Sequence, residues 1–426
     1  MARTLLDHHA VRLSIDQGNP MLSTERPADR VAGAPTRAAG SAAEVVARTE
    51  ALVPVLRDRA TAVDELRQML PASVADLKSA GTARLFQPAR FGGCEADMRS
   101  GVEALVAVGR GCGSSAWCLV QHITHNFMLS QWPDQGQHDI WDEDPACLVS
   151  GIFIPACGRG RPVDGGYVLS GRWPLVSGVN TSDWCLFAAH TEEEGVDVDR
   201  YYALPRSQIE IVDTWQSVGL KGSASNDVIV SEVFVPAHRT LSIRHLKGGP
   251  TPGNAHNRSP LYRTPSYCIF GVYMSAACLG IAESGLEFYL EGVRRRIALT
   301  SRQKVSGYPT QQVKVAEASA AVAASRQLLF SICDEASAIA IRDDLPSDEQ
   351  RAKFRSHAAF AGRLAGRAVE LLWDAGASSS VYSNNPMSRV YRDMSVAGRH
   401  FTLNWDVNGS THGRVLMGLE LGDPTL

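Results

Sequence analysis

The residue pattern of the chain changes at about Pro145 and changes back at about Arg239. Between these positions, short runs rich in β-branched and aromatic residues are separated by turn residues, which is typical of antiparallel strands. On both sides, apolar residues recur at the three- and four-residue spacing of amphipathic helices. This order predicts an α+β protein, mostly α, in which a small antiparallel β domain lies between two helical regions.

The helical region before the strands is predicted to begin near Ser41. Ser41 and Glu44 have the spacing of a capping box, in which each side chain bonds the backbone of the other residue. Pro54 is predicted to divide the first helical run, and Gly81 to close a later helix. The helices predicted after the first run cover 71–80, 100–109 and 114–132.

Residues 264–426 are predicted to form a four-helix bundle after the strands. Its four apolar-periodic runs cover 268–296, 310–341, 347–376 and 387–403. The segment 247–263 is rich in Gly, Pro and Asn, which predicts a linker or lid loop. The remaining regions are assigned as a mobile N-terminal arm at 1–40, a helical domain at 41–145 and a β domain at 146–246.

Charge and cysteine usage argue against several classes of function. The net charge of −3 provides no basic excess for a nucleic-acid backbone. No uninterrupted apolar run has the length of a membrane span, and the first forty residues lack the apolar stretch of a secretory signal. The nine cysteines include no C-x-x-C pair, which argues against disulfides and zinc. We therefore expect a cytoplasmic protein whose partners include neither nucleic acid nor membrane.

One stretch of the β region, residues 171–178, combines a large aromatic side chain, a hydroxyl and a glycine. Trp173, Ser177 and Gly178 are residue types that can hold the edge of a planar ring and hydrogen-bond one of its atoms. The residues alone leave a second interpretation open, in which a buried tryptophan on a strand is followed by a serine–glycine turn.

The order of the regions and three motifs resemble the acyl-CoA dehydrogenase fold. The motifs are 171–178, then 215–227 with the strand that follows it, and then 375–379 leading to Arg392-Asp393 and His400. The likeness extends over about 41–420. More specifically, the chain resembles the flavin-dependent monooxygenases built on that fold, the oxygenase components of two-component systems. One departure is Ala224, where relatives often have glycine.

The absence of a carboxylate after the Arg-Asp pair favours the monooxygenases over the acyl-CoA dehydrogenases. Many acyl-CoA dehydrogenases carry a glutamate base shortly after the Arg-Asp pair, whereas this chain has His400 and Phe401 at that distance. A phenylalanine cannot accept a proton, and the oxygenases carry a histidine in this part of the chain. Some relatives place the base on another helix, so the dehydrogenase stays an alternative.

The sequence has no nicotinamide-binding motif of its own. Gly109, Gly111 and Gly113 lack the G-x-G-x-x-G spacing. The resemblance implies instead that a separate NAD(P)H:flavin reductase supplies reduced FMN or FAD, and that this protein captures the reduced flavin and reacts it with O2.

The resemblance also implies roles for the first two motifs. Ser177 is expected to hydrogen-bond flavin N5 and to stabilise a C4a-hydroperoxide. Trp173 is expected to form a wall beside the ring, next to Gly178. Ser223 and Ser225 are expected to bind the phosphate or ribityl groups of the flavin. For each serine, the alternative is a turn hydroxyl that bonds local backbone.

His400 is expected to be the acid–base residue, because imidazole titrates near neutrality. His125 resembles the second active-site histidine of the aromatic hydroxylases, and His122, one turn earlier on the same helix face, is the alternative. The bland interpretation of these histidines is a polar residue on a packed helix. Arg302 and Gln312 are expected near the flavin phosphate, with Arg302 reaching across a subunit interface. No third ligand at metal spacing accompanies the histidines, so no metal site is expected.

The resulting hypothesis is a homotetrameric monooxygenase that inserts one atom of O2 into a phenolic or polycyclic aromatic substrate. N- or S-oxygenation is the main variant within the class. An acyl-CoA dehydrogenase-like oxidoreductase is the rival enzyme, and a flavin-binding protein that has kept only the fold is the non-catalytic alternative.

Overall fold

The computed structural model describes residues 38–193, 195–423 and 426. They form a helical region, a β-sheet and a second helical region, in the order predicted from the sequence. The arm predicted at 1–40 lies outside the described residues except for 38–40. The exact domain boundaries proposed above remain predictions.

Six helices precede the sheet among the described residues, and the predicted capping box, helix division and helix end are confirmed. Glu44 N donates to Ser41 Oγ, and Ser41 N donates to the Glu44 carboxylate. Pro54 lies in the first turn of α2, and Gly81 ends α3 at φ 82°. Helix α6 was not predicted, because its first residues are polar and show no helical spacing of apolar residues. The helices are α1 (Ala42–Ala51), α2 (Val53–Leu66), α3 (Pro71–Ala80), α4 (Met98–Gly111), α5 (Gly113–Leu129) and α6 (Asp134–Trp141).

The β domain is one eight-stranded sheet with the order β6-β7-β3-β2-β4-β5-β8, and β1 pairs with β4. Most pairs are antiparallel as predicted, but β4 runs parallel to both β1 and β2. Residue patterns within a strand do not specify the direction of its neighbour, so these two pairings could not be predicted. The strands are β1 (Val149–Ile152), β2 (Gly158–Val163), β3 (Gly166–Val176), β4 (Trp184–Glu193), β5 (Val196–Pro205), β6 (Glu210–Val212), β7 (Asn226–Pro236) and β8 (Thr240–Ser242).

Strand β3 is irregular at its carboxyl end. Trp173 pairs with Val228, and Val176 pairs with Asn226, so β3 has one residue more than β7 between these pairs. The bulge contains Pro174, which has no N–H to donate to the ladder, and Leu175, whose φ of 62° is left-handed. It reorients the chain so that the next residue after the strand contacts α5.

In the part of the chain that the structure describes, five helices follow the sheet, and the first three agree with the predicted ones to within a few residues. The prediction of a single helix over 387–403 is wrong. Helix α10 ends at Ala397 with Gly398 as its cap, and a 3₁₀ turn at Phe401–Leu403 leads into a further helix. His400 therefore lies in a turn. The helices are α7 (Ser266–Arg295), α8 (Pro309–Ile341), α9 (Asp348–Gly376), α10 (Pro386–Ala397) and α11 (Trp405–Leu416).

Helix α7 is central to the helical core. A Cβ on Gly280 would lie 2.8 Å from the Cα of Gly109, so this pair of glycines lets α7 and α4 cross at close distance. Gly109 thus has a packing role. Within the described residues, α7 is the one helix long and apolar enough to cross a membrane, and 89% of its apolar stretch is buried inside the protein.

The segment 247–263 forms short 3₁₀ turns between the sheet and α7. It is fixed to α5 and α6 through Asn257. The side-chain amide of Asn257 donates to the carbonyl of Ser130 at 2.6 Å and to Gln137 Oε1 at 2.9 Å. These buried bonds attach the segment to the helical region before the sheet.

Candidate active site

A cavity of about 440 Å³ lies where the sheet meets the helices. A cavity of this size suits a small ligand. No Asp or Glu is among the described residues that line it. The lining residues come from α5, β1 and the turn after it, the end of β3, the 215–225 loop, α7, and the end of α10 with the turn after it: Trp117, Gln121, Gly151, Ile152, Phe153, Ile154, Leu175, Ser177, Trp215, Leu220, Ser225, Phe270, Val396, Arg399, His400 and Phe401.

Three serines form a hydrogen-bonded row beside the cavity, which we call the hydroxyl chain. Ser177 Oγ lies 2.8 Å from Ser225 Oγ, and Ser225 Oγ lies 2.7 Å from Ser223 Oγ. Trp117 Nε1 donates to Ser177 Oγ at 3.2 Å. An indole N–H can only donate, so Ser177 accepts from Trp117 and keeps its own proton for Ser225 or for a ligand. The structure thus brings together the three serines singled out in the sequence.

The loops that carry the hydroxyl chain have left-handed backbone residues. Gly178 has φ 74°, and its N–H donates to the carbonyl of Ser223 at 2.8 Å, which joins the first two motifs. Leu220 and Ala224 have φ of 49° and 43°, which is unusual for residues with a side chain. Ala224, the departure from the family pattern, therefore stands at a position that glycine would occupy without strain. Strain of this kind concentrates at functional sites.

Trp173 does not line the cavity, which corrects the expectation of a wall beside the flavin. Its side chain is fully buried in the core of the β domain. The ring packs on Phe187 with the centroids 4.8 Å apart, and Nε1 donates to the Ala188 carbonyl at 2.8 Å. The reason is the bulge in β3: Trp173 precedes it and faces the sheet core, whereas Ser177 follows it and contacts α5.

His400 lies on the aromatic side of the cavity. Its ring is edge-on to Trp117, with the centroids 5.6 Å apart, and close to Phe270 and Phe401. Nδ1 lies 2.8 Å from Thr402 Oγ1 and accepts from Thr402 N at 3.4 Å, so we assign the proton of the neutral imidazole to Nε2. In the part of the chain that the structure describes, Nε2 has no hydrogen-bond partner. Burial among these rings lowers the pKa of His400 from 6.5 to about 4, so the ring is neutral at pH 7.

His122 and His125 lie deeper, buried on α5. Nδ1 of His122 bonds the Val149 carbonyl at 3.1 Å, and Nδ1 of His125 bonds the Gln121 carbonyl at 2.7 Å. Each ring therefore donates from Nδ1, and each Nε2 is a buried acceptor without a partner among the described residues. Burial lowers the pKa of His122 to about 4 and that of His125 to about 3.

His125 has the closer relation to the cavity. Its ring packs on Phe153, a lining residue, with the centroids 5.3 Å apart. A Cβ on Gly151, also a lining residue, would lie 2.8 Å from His125 Nε2. Glycine at 151 therefore leaves room beside this buried nitrogen, which a larger residue would fill. Neither His125 nor His122 lines the cavity itself.

Comparison with known proteins agrees with this geometry. Residues 272–405 match the model of the acyl-CoA dehydrogenase C-terminal domain. The FADH(2)-dependent resorcinol hydroxylase, oxygenase component, of Rhizobium sp. is 30% identical over 388 residues, which are 88% of this chain and 94% of that protein. The flavin-dependent monooxygenase, oxygenase subunit HsaA, of Rhodococcus jostii is 32% identical over 360 residues, which are 84% and 94% of the two chains. The chain belongs to the oxygenase components of the flavin-dependent monooxygenases.

Solved structures agree as well. The crystal structure of 3-HSA hydroxylase from Rhodococcus sp. RHA1 superposes with a TM-score of 0.85 at 29% identity and covers 90% of this chain and 99% of its own. XiaF from Streptomyces sp., in complex with FADH2 and glycerol, has a TM-score of 0.83 at 23% identity over 90% and 98% of the two chains, which shows the shared fold.

The cavity of this oxygenase component has features that suit a flavin ring. The hydroxyl chain offers hydrogen bonds at one edge, and Trp215 and Leu220 add apolar surface. Leu175 and Phe401, which also line it, expose 53% and 59% of their surface. A planar apolar ring would cover these side chains, so the residues present fit the cofactor class of the family.

Arg302 and Gln312 lie outside this cavity. Arg302 is exposed in the loop between α7 and α8, and Gln312, in the first turn of α8, donates to the Ser306 carbonyl at 3.1 Å. Within one chain, the structure therefore does not bring them to the hydroxyl chain. Their contact with the flavin, for Arg302 across a subunit interface, remains a prediction.

The helical wall of the cavity contains residues that the sequence interpretation missed. Trp117 and Gln121 are four residues apart on α5, and this aromatic–polar pair on a buried helix was an available signal. Phe153 and Phe270 gave no signal, because their residue type and spacing do not differ from those of core residues. The described residues contain no group of three or more His, Cys, Asp or Glu side chains suited to a metal.

Proposed function

We propose that this oxygenase component uses reduced flavin and O2 to hydroxylate an aromatic ring, with a phenolic or polycyclic aromatic compound as substrate. The observation that carries the proposal is the composition of the cavity. The described part of its lining presents serine hydroxyls on one side and a neutral histidine among aromatic rings on the other, and contains no carboxylate. An α-proton abstraction of the acyl-CoA dehydrogenase type lacks its base there.

Bound reduced flavin would supply the two electrons that activate O2, so that one oxygen atom of O2 goes to the aromatic ring and the other leaves as water. The protein contributes position and an enclosed, largely apolar environment. Ser177 and Ser225 would hydrogen-bond the polar edge of the cofactor, and Trp117, which donates to Ser177 Oγ, fixes the orientation of that hydroxyl. Trp117, Phe153 and Phe270 exclude water from the reacting atoms and pack on an aromatic substrate.

The two histidines supply opposite hydrogen-bonding groups. His400 carries its proton on Nε2, so it donates to a phenolic oxygen and orients the substrate ring. His125 donates from Nδ1 to Gln121, so its Nε2 can only accept, and we assign it the role of accepting a hydrogen bond from the phenolic hydroxyl beside Gly151. This pairing gives separate roles to the two histidines that were expected to orient or deprotonate the substrate together.

Several finer points belong to the same proposal. A separate NAD(P)H:flavin reductase supplies the reduced flavin, either FMN or FAD, as the designation of the relatives as oxygenase components supports. The enzyme works in the cytoplasm, away from membranes, as a homotetramer. Exposed apolar side chains on the carboxyl-terminal helices support association: Val313, Phe360, Val407 and Leu416.

The experiment is a product assay with a flavin reductase and NADH, under ¹⁸O₂. Resorcinol and p-hydroxyphenylacetate, named in two relatives, are the first phenols to supply. The proposal expects one labelled oxygen atom in the product and no reaction when oxidised flavin replaces reduced flavin. Labelled product from an amine or sulfide and none from a phenol panel would favour N- or S-oxygenation. Dye reduction by an acyl-CoA without O2 would favour the dehydrogenase.

A further inference from the structure

The Arg392-Asp393 pair on α10 contacts the 215–225 loop at successive backbone positions. Leu220 N donates to Asp393 Oδ1 at 2.7 Å, and Arg392 Nη1 donates to the Val218 carbonyl at 2.9 Å. Between them, a Cβ on Gly219 would lie 2.0 Å from the Arg392 carbonyl oxygen, so the loop and the helix touch backbone to backbone. Asp393 itself is 4% exposed.

Leu220 is the strained residue at the centre of these contacts. Its φ of 49° costs about 1 kcal/mol for a residue with a Cβ. Every polar group of its backbone is occupied: N–H by Asp393, and the carbonyl by Trp215 Nε1 at 3.0 Å and by Ser223 N at 2.9 Å. Its side chain, 1% exposed, lines the cavity. A residue held at three points keeps a conformation that it would otherwise leave.

The conformation of Leu220 sets the position of the next residues of the loop. Its carbonyl fixes Trp215, which lines the cavity, and Ser223, which begins the hydroxyl chain. We propose that Asp393 is a positioning residue, whose carboxylate holds Leu220 left-handed and thereby aligns Trp215 and the hydroxyl chain for the flavin ring. The alignment for flavin rests on the proposed function, whereas the contact between Asp393 and Leu220 does not.

The charge of Asp393 is sensitive to pH near neutrality. Burial raises the pKa of Asp393 to about 6, and the hydrogen bond from Leu220 N acts in the opposite direction. Protonation on acidification weakens the carboxylate as an acceptor, so the loop loosens as pH falls through 6. The titratable and charged groups around Asp393 are Asp64 on α2, Cys112 before α5, and Arg389 and Arg392 on α10.

The test compares Asp393→Ala, Asp393→Asn and a control, Glu283→Ala. Asparagine keeps an acceptor for Leu220 N without the titration, and alanine removes the acceptor. Glu283 is a poorly exposed carboxylate paired with Arg326 in the helical core, away from the loop. Amide hydrogen exchange of the peptide spanning 214–225 is measured in the full-length protein without flavin. The affinity for reduced FMN is measured by anaerobic titration between pH 5 and 8.

We expect faster exchange at Leu220 and about tenfold weaker reduced-FMN binding in Asp393→Ala, as for a lost bond to an ionised group. In Asp393→Asn, we expect the exchange rate at Leu220 and the affinity for reduced FMN to stay close to the wild-type values at pH 7. The affinity of this variant stays constant as pH falls through 6, whereas that of the wild type decreases. Glu283→Ala changes neither. Unchanged exchange in Asp393→Ala, or equal losses in both Asp393 variants with the wild-type pH profile retained, would overturn the inference. Failure of the wild type to bind both reduced FMN and reduced FAD, titrated in the same way, would refute the proposed function, while the exchange result still decides on the contact.

Discussion

The two walls of the cavity are built in different ways. The sheet wall is polar and irregular: it carries the hydroxyl chain on loops with left-handed residues at Leu175, Leu220 and Ala224. The helical wall is aromatic and regular, with Trp117 on α5 and Phe270 on α7 in ordinary helical backbone. The backbone groups of a regular helix are already hydrogen-bonded within the helix, so this wall offers a ligand mainly side-chain surface. A strained loop can instead hold serine hydroxyls in a fixed direction toward a ligand. In the proposed function, the strained wall would hold the cofactor edge and the rigid wall would shape the substrate space.

The largest effect is expected from the helical wall at His400. His400→Ala removes the Nε2 donor, and we expect hydroxylation to fall by about a hundredfold or more, with reduced-flavin binding within about twofold. Steady-state product formation and anaerobic flavin titration measure the two quantities. His412→Asn, on α11 outside the cavity, serves as the control. A parallel loss of flavin affinity would assign His400 to the cofactor side and remove the contrast between the walls.

The next effect is expected from the sheet wall at Ser177. Ser177→Ala removes the hydroxyl that bridges Trp117 and Ser225, and we expect substrate oxygenation per flavin oxidised to fall about tenfold. The ratio of product to hydrogen peroxide measures this coupling. Ser182→Ala is a matched control, because Ser182 is a buried turn serine five residues later that bonds the Val179 carbonyl. Equal coupling in both variants would contradict the assignment.

Acidification is expected to destabilise the protein through the buried histidines on the helical side of the cavity. The pKa values of His122, His125 and His400 are lowered below 6.5, so the unfolded chain binds more protons between pH 6.5 and 4. Their stabilising contribution is complete above pH 6.5 and is lost as pH falls, by roughly 2 kcal/mol each between pH 7 and 5. The pKa of Asp393 is raised, so its protonation on acidification favours the folded state. This one group offsets only part of the loss from the three histidines. Urea denaturation across this range would show no net loss of stability if the histidines were solvated.

The smallest effect is expected at Ala224. Ala224→Gly removes the strain of φ 43° and is expected to raise the free energy of unfolding by about 1 kcal/mol. Ala188→Gly on β4, at a buried position with ordinary strand backbone, should instead lower it by about 1 kcal/mol. Thermal denaturation measures both variants. Stability changes of opposite sign would support backbone strain at Ala224, whereas changes of the same sign would show that the protein responds to glycine alike at both positions.

The sequence predicted the helices well because caps and breakers such as Ser41, Pro54 and Gly81 act locally. It also indicated Ser177, Ser225 and His400, which converge on one cavity. It misplaced Trp173, because a one-residue bulge at Pro174 changes which face the following side chains occupy, and periodicity does not reveal a bulge.

Other features depend on contacts between distant segments. No local sequence pattern encodes the parallel pairings of β4 or the hydrogen bond between Leu220 N and Asp393, because both join residues far apart in the chain. The aromatic wall has the same composition as the core around it. The roles of Arg302 and Gln312 depend on a second subunit, and the single chain leaves them as predictions.

We propose that the two walls together hold reduced flavin and direct its reaction with O2. Stopped-flow mixing of the anaerobic complex of the protein and reduced flavin with oxygenated buffer tests it most directly. The account predicts a spectral transient distinct from both reduced and oxidised flavin, whose lifetime shortens in Ser177→Ala and whose conversion to product depends on His400. Direct return to oxidised flavin without a transient in the wild type would contradict it.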